Sequence, residues 1–396
     1  MNRRVFKWIS VLLCLCLLNT LAGCAGKTET DQSAYDSEEI HAVWFSYLDY
    51  EARCSGMNKQ EFSDEVGLML NQMQDVGINT VYVHASAFTD ALYDSKIYPK
   101  SASIAGMDYD PLKIFCEQAK GKNMRIEAWI NPLRSVTSAE AESLDSNFII
   151  SKWIQENNER IRLVSDRYYL NPAYQDVRDL AVSVVREILD NYDVDGIHMD
   201  DYFYPDDTAK SFDAYIYSQS ETGETLEDFR RSATSTLVKE IHDAVKEKDS
   251  SLVFGISPAG NTDLNLNVYY ADPSAWVKDG TVDYLAPQIY WGLEHPTKPY
   301  AEVLAQWQSI TAGTDTDLII GLAAYKCGIE DVYAKDASQE WVENSDILSR
   351  EILISQNAGC KGTALFRYSS LFAPSAETAE NVDKEIINIK SAYGVN

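Results

Sequence analysis

Short β-rich runs alternate with longer amphipathic stretches along nearly all of this 396-residue chain. Eight runs are rich in branched and aromatic side chains, and the segments between them show helical periodicity. The runs cover residues 41–47, 79–85, 124–130, 195–200, 252–257, 283–290, 318–324 and 362–368. Eight strands that alternate with helices favour a single (β/α)8 TIM barrel, an α/β fold, over a doubly wound sheet. The sequence therefore predicts one barrel domain over residues 39–395.

The N-terminus does not fit this alternation. Three basic residues among the first seven precede a short apolar run, residues 11–18, and then comes Leu21-Ala-Gly-Cys24. A basic start, an apolar segment too short to span a bilayer comfortably and a cleavage site of small residues are typical of an export signal. The last four residues resemble the lipobox of bacterial lipoproteins. We therefore expect residues 1–23 to be removed, Cys24 to carry the lipid, and residues 24–38 to form a flexible tether.

This prediction places the mature protein on the extracytoplasmic face of the cell membrane, held there by its lipid anchor. Loss of residues 1–23 removes three basic groups and no acidic one, so the formal charge changes from −27 to −30. A protein of this charge is repelled by nucleic acid and by anionic surfaces. We expect no nucleic-acid partner and a neutral or positively charged ligand.

The cysteines after Cys24 show no spacing typical of a zinc site. Cys116 falls in an apolar helical pattern and is predicted to lie in the core. A disulfide among Cys54, Cys327 and Cys360 is chemically permitted outside the cytoplasm, but the spacing alone selects no pair. The sequence predicts no metal and no cofactor.

The motif DGIHMDDYFYP, residues 195–205, ends an apolar run on two carboxylates. In a barrel strand alternate side chains face the interior, which turns His198 and Asp200 inward and places Ile197 and Met199 against the helices. Asp200 then lies at the C-terminal mouth, where barrel enzymes build their sites. Adjacent aspartates could instead cap a helix or, together with Asp206-Asp207, bind an ion.

Other strand ends supply polar and aromatic groups at the same mouth, and the segments that follow three of these strands are long: residues 132–172, 202–223 and 258–281. Rings that stack on sugar C–H faces and planar groups that bind hydroxyls would suit a glycan. We predict that the substrate-binding side chains are His84, Trp129, Asn131, Arg134, His198, Tyr202, Gln288, Tyr290 and Trp291.

Six stretches of the chain resemble the glycosyl hydrolase-like 10 family of bacterial barrel lipoproteins. They are VWFSY near the start, AWINPLR (128–134), YLNPAYQDVR (169–178), DGIHMDDYFYP (195–205), APQIYW (286–291) and GTALFRYSSL (362–371). The resemblance spans about residues 39 to 372, and the fourth and fifth stretches are its most specific parts. It implies a barrel that cleaves a cell-envelope or extracellular polysaccharide, with peptidoglycan glycan strands among the candidates.

DGIHMD is also similar to the fourth-strand motif of α-amylase-type barrels. Carried over residue by residue, the similarity makes Asp200 the nucleophile and His198 its neighbour, where a histidine would make any effect on the pKa of Asp200 depend on pH. Those barrels place a glutamate after the fifth strand, but this chain reads FGISPAGN there. The proton donor must come from elsewhere, with Asp201 ranked before Glu127 and Glu294. Because neighbouring strand residues point opposite ways, Asp201 can serve only if the strand breaks at Asp200.

Three functions remain open on the sequence. The first is a lipid-anchored glycoside hydrolase that uses Asp200 with Asp201 or Glu127. The second is a glycan-binding lipoprotein with a degenerate, non-catalytic cleft, which the missing glutamate after the fifth strand favours. The third is metal-dependent chemistry at His84, His198, Asp200 and Asp201. No HExxH motif or comparable spacing of metal ligands in the sequence supports it.

Overall fold

The computed structural model describes residues 38–395. Its strands, in chain order, are β1 (Ile40–Phe45), β2 (Thr80–Ser86), β3 (Arg125–Ile130), β4 (Arg134–Thr137), β5 (Ile161–Val164), β6 (Arg167–Leu170), β7 (Gly196–Met199), β8 (Val253–Ile256), β9 (Tyr284–Leu285), β10 (Asp317–Leu322) and β11 (Gly362–Leu365). Eight of them close into a parallel barrel in the order β1-β2-β3-β7-β8-β9-β10-β11. The predicted (β/α)8 fold is confirmed.

Helices alternate with the barrel strands and cover them on the outside. They are α1 (Tyr47–Cys54), α2 (Lys59–Asp75), α3 (Pro111–Lys120), α4 (Ser138–Ala141), α5 (Ile149–Gln155), α6 (Gln175–Asn191), α7 (Ala214–Gln219), α8 (Leu226–Lys248), α9 (Thr262–Asn267), α10 (Pro273–Asp279), α11 (Tyr300–Thr311), α12 (Glu340–Glu343), α13 (Ile347–Asn357), α14 (Tyr368–Phe372) and α15 (Ala379–Ala392). Short 3-10 turns occupy Ala102–Ile104, Lys210–Phe212, Ala324–Lys326 and Lys335–Ala337.

Local sequence explains where the main helices begin. Asn58 caps α2 by accepting hydrogen bonds from the backbone N–H groups of residues 60 and 61, and the Glu61 side chain accepts one from the Asn58 N–H. Asp110 caps α3, whose first residue is Pro111. These groups satisfy N–H donors that a helix start leaves without partners.

The long segment after β3 contains a second, small sheet that the sequence patterns did not predict. β4, β6 and β5 form an antiparallel sheet in that order, and β5 and β6 are joined by a tight turn in which Ser165 has a φ of 56°. The sheet lies at the C-terminal end of β3 and thus beside the barrel mouth. It was missed because each strand has only four residues and little apolar alternation.

Strand β9 is shorter than its predicted run of residues 283–290, because only Tyr284 and Leu285 pair as a strand. Pro287 cannot donate to a ladder and ends the regular pairing. The chain nevertheless stays at the barrel wall, since Gln288 forms single bridges to Ala259 and to Gly321. This irregular end brings Gln288 to the mouth.

Large aromatic side chains fill the barrel interior opposite small residues. Tyr284 occupies the space beside Gly255, where an added Cβ would lie 1.9 Å from the Tyr284 Cζ. Trp44 lies against Gly321 in the same way, at 3.3 Å. Ile197 and Met199 face the helical layer, as the alternation predicted. The interior is therefore a packed aromatic core that closes the barrel below its mouth.

Several predictions concern residues that the structure does not describe. The signal peptide (1–23), Cys24 and nearly all of the tether lie outside residues 38–395. Among the described residues, no helix is long and apolar enough to cross a membrane. Cys54, Cys116, Cys327 and Cys360 are free thiols, so none of the permitted disulfides is present, and Cys116 is buried as predicted.

Candidate active site

A cavity of about 180 Å³ opens at the C-terminal ends of the barrel strands. This is smaller than the ~300–1,000 Å³ of a typical small-molecule site, so the cavity would hold only part of a polymer, with the remainder lying outside. Nine of the predicted site residues line it: His84, Trp129, Asn131, Arg134, Asp200, Asp201, Tyr202, Gln288 and Tyr290.

The two aspartates reach the same cavity because the strand ends before them. β7 stops at Met199, and the chain then turns, with the Phe203 N–H donating to the Asp201 carbonyl at 2.9 Å. The Tyr202 N–H donates to Asp200 Oδ1 at 3.3 Å. The strand therefore ends where it must for Asp201 to face the same side as Asp200, and both carboxyl groups line the cavity.

The surroundings favour protons on this pair of carboxyl groups. Burial raises the pKa of Asp200 well above its usual value, and the neighbouring Asp201 charge raises it further. Burial also raises the pKa of Asp201, although the Gln288 side chain lowers it in part. Two close carboxyl groups titrate as a pair, so ionisation of one strengthens proton binding by the other. One ionised and one protonated acid is the arrangement that acid–base chemistry on a glycosidic bond needs.

Arg134 lines the cavity together with this pair, and its charge lowers the pKa of both aspartates. Its guanidinium lies 4.0 Å from the centre of the Tyr202 ring and 4.9 Å from that of Phe88. Two aromatic rings thus hold the guanidinium in position at the mouth while its N–H edges stay available.

One wall of the cavity is formed by β2 and β3, and several polar atoms of the cavity lining have no partner. His84 stacks on Trp129 with ring centres 3.7 Å apart, and Asn131 Nδ2 lies 3.4 Å from His84 Nε2. Within residues 38–395, the buried Trp129 Nε1, Asn131 Oδ1 and Ser257 Oγ form no hydrogen bond of good geometry. The Trp129 N–H still lowers the pKa of Asp200. Buried polar atoms normally have partners, so these three are suited to bind ligand hydroxyls.

Burial lowers the pKa of His84 well below its ordinary value, and Arg134 lowers it further. The imidazole is therefore neutral at physiological pH. A neutral ring stacked on Trp129 can exchange hydrogen bonds with a sugar without adding charge next to the aspartates.

His198 faces the interior as predicted but does not line the cavity. Its Nε2 accepts from Trp44 Nε1 at 3.0 Å, and its Nδ1 lies 2.7 Å from the Tyr284 hydroxyl. Because an indole N–H can only donate, Nε2 is the acceptor and the neutral ring carries its proton on Nδ1. Burial lowers the pKa of His198 to about 3. The expected pH-dependent influence of His198 on Asp200 is therefore absent near neutral pH.

Glu127 lies one layer deeper than the cavity. Its side chain is fully buried, and its Oε2 accepts from the Tyr284 hydroxyl at 2.6 Å. Burial raises the pKa of Glu127 to about 8, so this carboxyl group holds a proton near neutral pH, as a general acid must. Its depth in the barrel nevertheless keeps it away from the substrate. It does not line the cavity next to Asp200.

Two other predicted groups also lie outside the cavity lining. Trp291 packs against Gly260, and the Lys298 ammonium lies over its ring, 4.6 Å from the ring centre. Glu294 is exposed, and its backbone N–H donates to Glu340. Among the described residues, Asp200 and Asp201 are the carboxyl groups that line this cavity.

Sequence reasoning missed several lining residues. Trp44 and Phe366 stack edge to face with ring centres 5.7 Å apart. Both lie at barrel strand ends, and position alone could have marked them. Arg367, which also ends a barrel strand, instead pairs with the buried Asp49 at 2.5 Å. The missed lining residues are Trp44, Ser46, Tyr47, Leu48, Ser257 and Phe366.

The proposed metal ligands do not form a ligand set. Within residues 38–395, no three His, Cys, Asp or Glu side chains come together in a way that could hold a metal ion. The nitrogens of His198 already contact Trp44 and Tyr284.

Comparison with solved structures agrees with the fold. The chain superimposes on the glycoside hydrolase domain of PgaB (BpsB) from Bordetella bronchiseptica with a TM-score of 0.57, 14% identity, and coverage of 89% of this chain and 98% of that one. It superimposes on α-L-fucosidase isoenzyme 2 from Paenibacillus thiaminolyticus with a TM-score of 0.56, 14% identity, and coverage of 90% and 49%. At such identities the likeness concerns the barrel fold alone.

Sequence comparison shows the family. The chain is 30% identical to glycosyl hydrolase YngK of Bacillus subtilis over 322 residues, 74% of this chain and 62% of that protein. It is 28% identical to glycosyl hydrolase DigH of Escherichia coli over 425 aligned positions, 94% of this chain and 93% of that protein. The family described as Glycosyl hydrolase-like 10 matches residues 39–342. The chain therefore belongs to the glycosyl hydrolase-like 10 family, which gives it a glycosidase or glycan-binding role.

Proposed function

We propose that this protein is a lipid-anchored extracytoplasmic glycoside hydrolase that cleaves a cell-envelope polysaccharide, with peptidoglycan glycan strands as its first candidate substrate. The observation that carries the proposal is the Asp200–Asp201 pair. Its two carboxyl groups line one cavity and both have raised pKa values. Burial of two adjacent carboxyl groups costs stability, and carboxyl groups with raised pKa values in a cleft are characteristic of catalytic sites.

In the proposed reaction the two aspartates divide the roles of acid and base. By the amylase-type motif, Asp200 reacts in its ionised form and attacks the anomeric carbon, while Asp201 reacts in its protonated form and gives its proton to the leaving oxygen. Burial and the Asp201 charge raise the pKa of Asp200, and the Tyr202 N–H, Arg134 and the Trp129 side chain oppose this rise by favouring the ionised form. Hydroxyls of the bound sugar would pair with Trp129, Asn131 and Ser257.

The test is to incubate the soluble protein, residues 25–396, with peptidoglycan glycan strands and with a neutral glucan, and to identify released sugars by mass spectrometry. The proposal expects fragments from the glycan strands. If the protein binds a glycan tightly and releases nothing from any polymer, it is instead the glycan-binding lipoprotein.

The pair also predicts a pH effect. With an aryl glycoside whose leaving group departs without protonation, Asp201 is dispensable and the acidic limb of kcat/KM follows ionisation of Asp200. Asp201→Asn removes the negative charge that raises the pKa of Asp200. Activity should therefore persist to lower pH in the variant than in the unmodified protein, as measured from rates between about pH 3 and 8. An unchanged acidic limb would show that the two carboxyl groups do not interact.

The anchor has its own test, because it rests only on the pattern Leu21-Ala-Gly-Cys24. Cys24→Ala should abolish incorporation of labelled fatty acid into the protein, since one thiol carries the lipid. Cys16→Ala, within the predicted signal peptide, is the matched control and should keep the label. Incorporation of the label by the Cys24→Ala protein would contradict lipidation at this residue.

A further inference from the structure

Arg134 and Arg167 differ from most arginines of this acidic protein. Most arginines in the described part of the chain form an ion pair with an aspartate or glutamate. Neither Arg134 nor Arg167 forms one with any residue between 38 and 395. Arg134 also has a buried Nε without a hydrogen-bond partner. In a chain with 61 acidic and 34 basic residues, two arginines that form no ion pair and lie against one ring need an explanation.

Both guanidinium groups lie against the same ring. The Arg134 Cζ is 4.9 Å and the Arg167 Cζ is 4.3 Å from the centre of Phe88. Arg167 Nη1 is fixed by a hydrogen bond to the Ser135 carbonyl at 2.5 Å. The ring attracts both guanidinium groups. The Asp200–Asp201 pair supplies negative charge near Arg134, and an anion bound by both arginines would offset their mutual repulsion further.

The position of Phe88 is built into the backbone. Asp90 Oδ1 accepts hydrogen bonds from the N–H groups of Ala87 at 3.0 Å and Phe88 at 2.8 Å. Thr89 has a φ of 53°, which is unfavourable for a β-branched residue, and its Oγ1 lies 2.6 Å from Ser135 Oγ. Strain of this kind persists where surrounding contacts enforce it and is concentrated at functional sites.

This cluster joins the cavity to a longer groove. Tyr47 lines both the cavity and a surface groove of about 560 Å³, Arg134 lines the cavity, and Phe88 and Arg167 line the groove. The acidic groove residues already accept hydrogen bonds from the chain itself: Glu51, Asp90, Glu140 and Asp145. Lys100 also lines the groove, but its ammonium donates to the Met107 carbonyl at 2.8 Å. Arg134 at the cavity and Arg167 in the groove are therefore the cations that we consider for an anion.

We propose that Arg134, Phe88 and Arg167 form a subsite for an anionic substituent, a carboxylate, on the sugar next to the one at the aspartate pair. The inference rests on the proposed function and specifies its substrate as a glycan that carries carboxyl groups. Guanidinium groups bind carboxylates with paired, charge-assisted hydrogen bonds. An acidic glycan is repelled by the overall charge of the protein at long range, so recognition must come from these local contacts.

The test measures binding without turnover by using the Asp200→Asn protein and calorimetry. One ligand is glycan strands with free carboxyl groups, and the other is the same strands after the carboxyl groups have been reduced to alcohols. We expect about 10-fold or tighter binding of the unreduced strands, because hydrogen bonds to a charged carboxylate are stronger than those to a neutral hydroxyl. Arg167→Gln, which leaves the cavity lining unchanged, and Arg134→Gln should each remove most of this preference.

Arg162→Gln is the matched control, since Arg162 belongs to the same small sheet but pairs with Glu159 and lines a different groove. It should keep the full preference. Equal binding of both ligands, no binding of either, or a preference that survives both Arg134→Gln and Arg167→Gln would overturn the subsite. The proposed function can fail independently of the subsite. If the protein prefers the unreduced strands but the unmodified protein releases no sugar from them, the subsite is supported and the hydrolase activity is contradicted.

Discussion

Replacing Asp200 by asparagine should lower kcat for glycan hydrolysis by at least about 10³-fold while leaving glycan binding largely intact. The substitution keeps the shape of the side chain and removes its charge and its proton chemistry. Asp200 is only 6% exposed at the end of β7, and among the described residues Asp201 is the one other carboxyl group that lines the cavity. Product release is measured by mass spectrometry and binding by calorimetry.

Asp207→Asn is the control, because Asp207 is an exposed aspartate in the same loop and does not line the cavity. Its rate should stay within about twofold of the unmodified protein, as is usual for surface substitutions. If the Asp200→Asn protein hydrolyses glycan within about tenfold of the normal rate, another group performs the chemistry and the assignment of Asp200 is wrong.

Replacing Arg230 by methionine should lower the free energy of unfolding by about 3–5 kcal/mol, because it leaves one partner of a buried ion pair uncompensated. Arg230 in α8 and Asp213 in the loop after β7 are both almost fully buried, with Nε and Oδ2 2.5 Å apart. The same guanidinium donates to the Ala209 carbonyl at 2.8 Å, and Asp213 accepts from the Tyr204 hydroxyl at 3.2 Å. The pair thus ties the segment that follows Asp201 to the outer helix.

The double variant Arg230→Met with Asp213→Leu separates charge from packing. Removing both charges should recover most of the lost stability, as apolar replacements of buried pairs usually do. Urea unfolding followed by circular dichroism gives both values. A loss below about 1 kcal/mol in the single variant would mean that the pair is not essential to the folded loop.

The barrel could be predicted because its pattern is repeated and strong. Eight apolar runs of similar length with helical segments between them leave few alternatives. The inward direction of Asp200 followed from side-chain alternation, since Ile197 and Met199 had to face the helices. The Asp201 orientation depended on a break in the strand, which Pro205 and the aromatic residues before it made plausible but did not require.

The rest of the site depends on contacts between distant residues, which no local pattern contains. Glu127 and His198 have the correct alternation for the mouth, but they lie deep enough for Tyr284 to hydrogen-bond both. Trp291 shares a motif with Gln288, yet the irregular backbone after Pro287 turns it toward Gly260. The alternation of side chains along a strand predicts whether a residue faces the barrel interior or the helices. How deep that residue lies in the barrel depends on the stagger of the strands and on the size of the opposing side chains.

The small sheet after β3 illustrates the same limit at the level of secondary structure. Its four-residue strands are too short for their alternation to be distinguished from loop sequence. The common position of Arg134 and Arg167 against the Phe88 ring is equally hidden, because it depends on which residues meet in space.

The most direct test of the central claim, that the Asp200–Asp201 pair hydrolyses a glycosidic bond, is to carry out the glycan reaction in ¹⁸O-labelled water. Hydrolysis puts one oxygen from water at each new reducing end. We expect fragments whose newly formed reducing ends carry one ¹⁸O from the unmodified protein, and no such fragments from the Asp200→Asn protein under the same conditions. Unlabelled new reducing ends, or equal amounts of labelled fragments from both proteins, would contradict the claim.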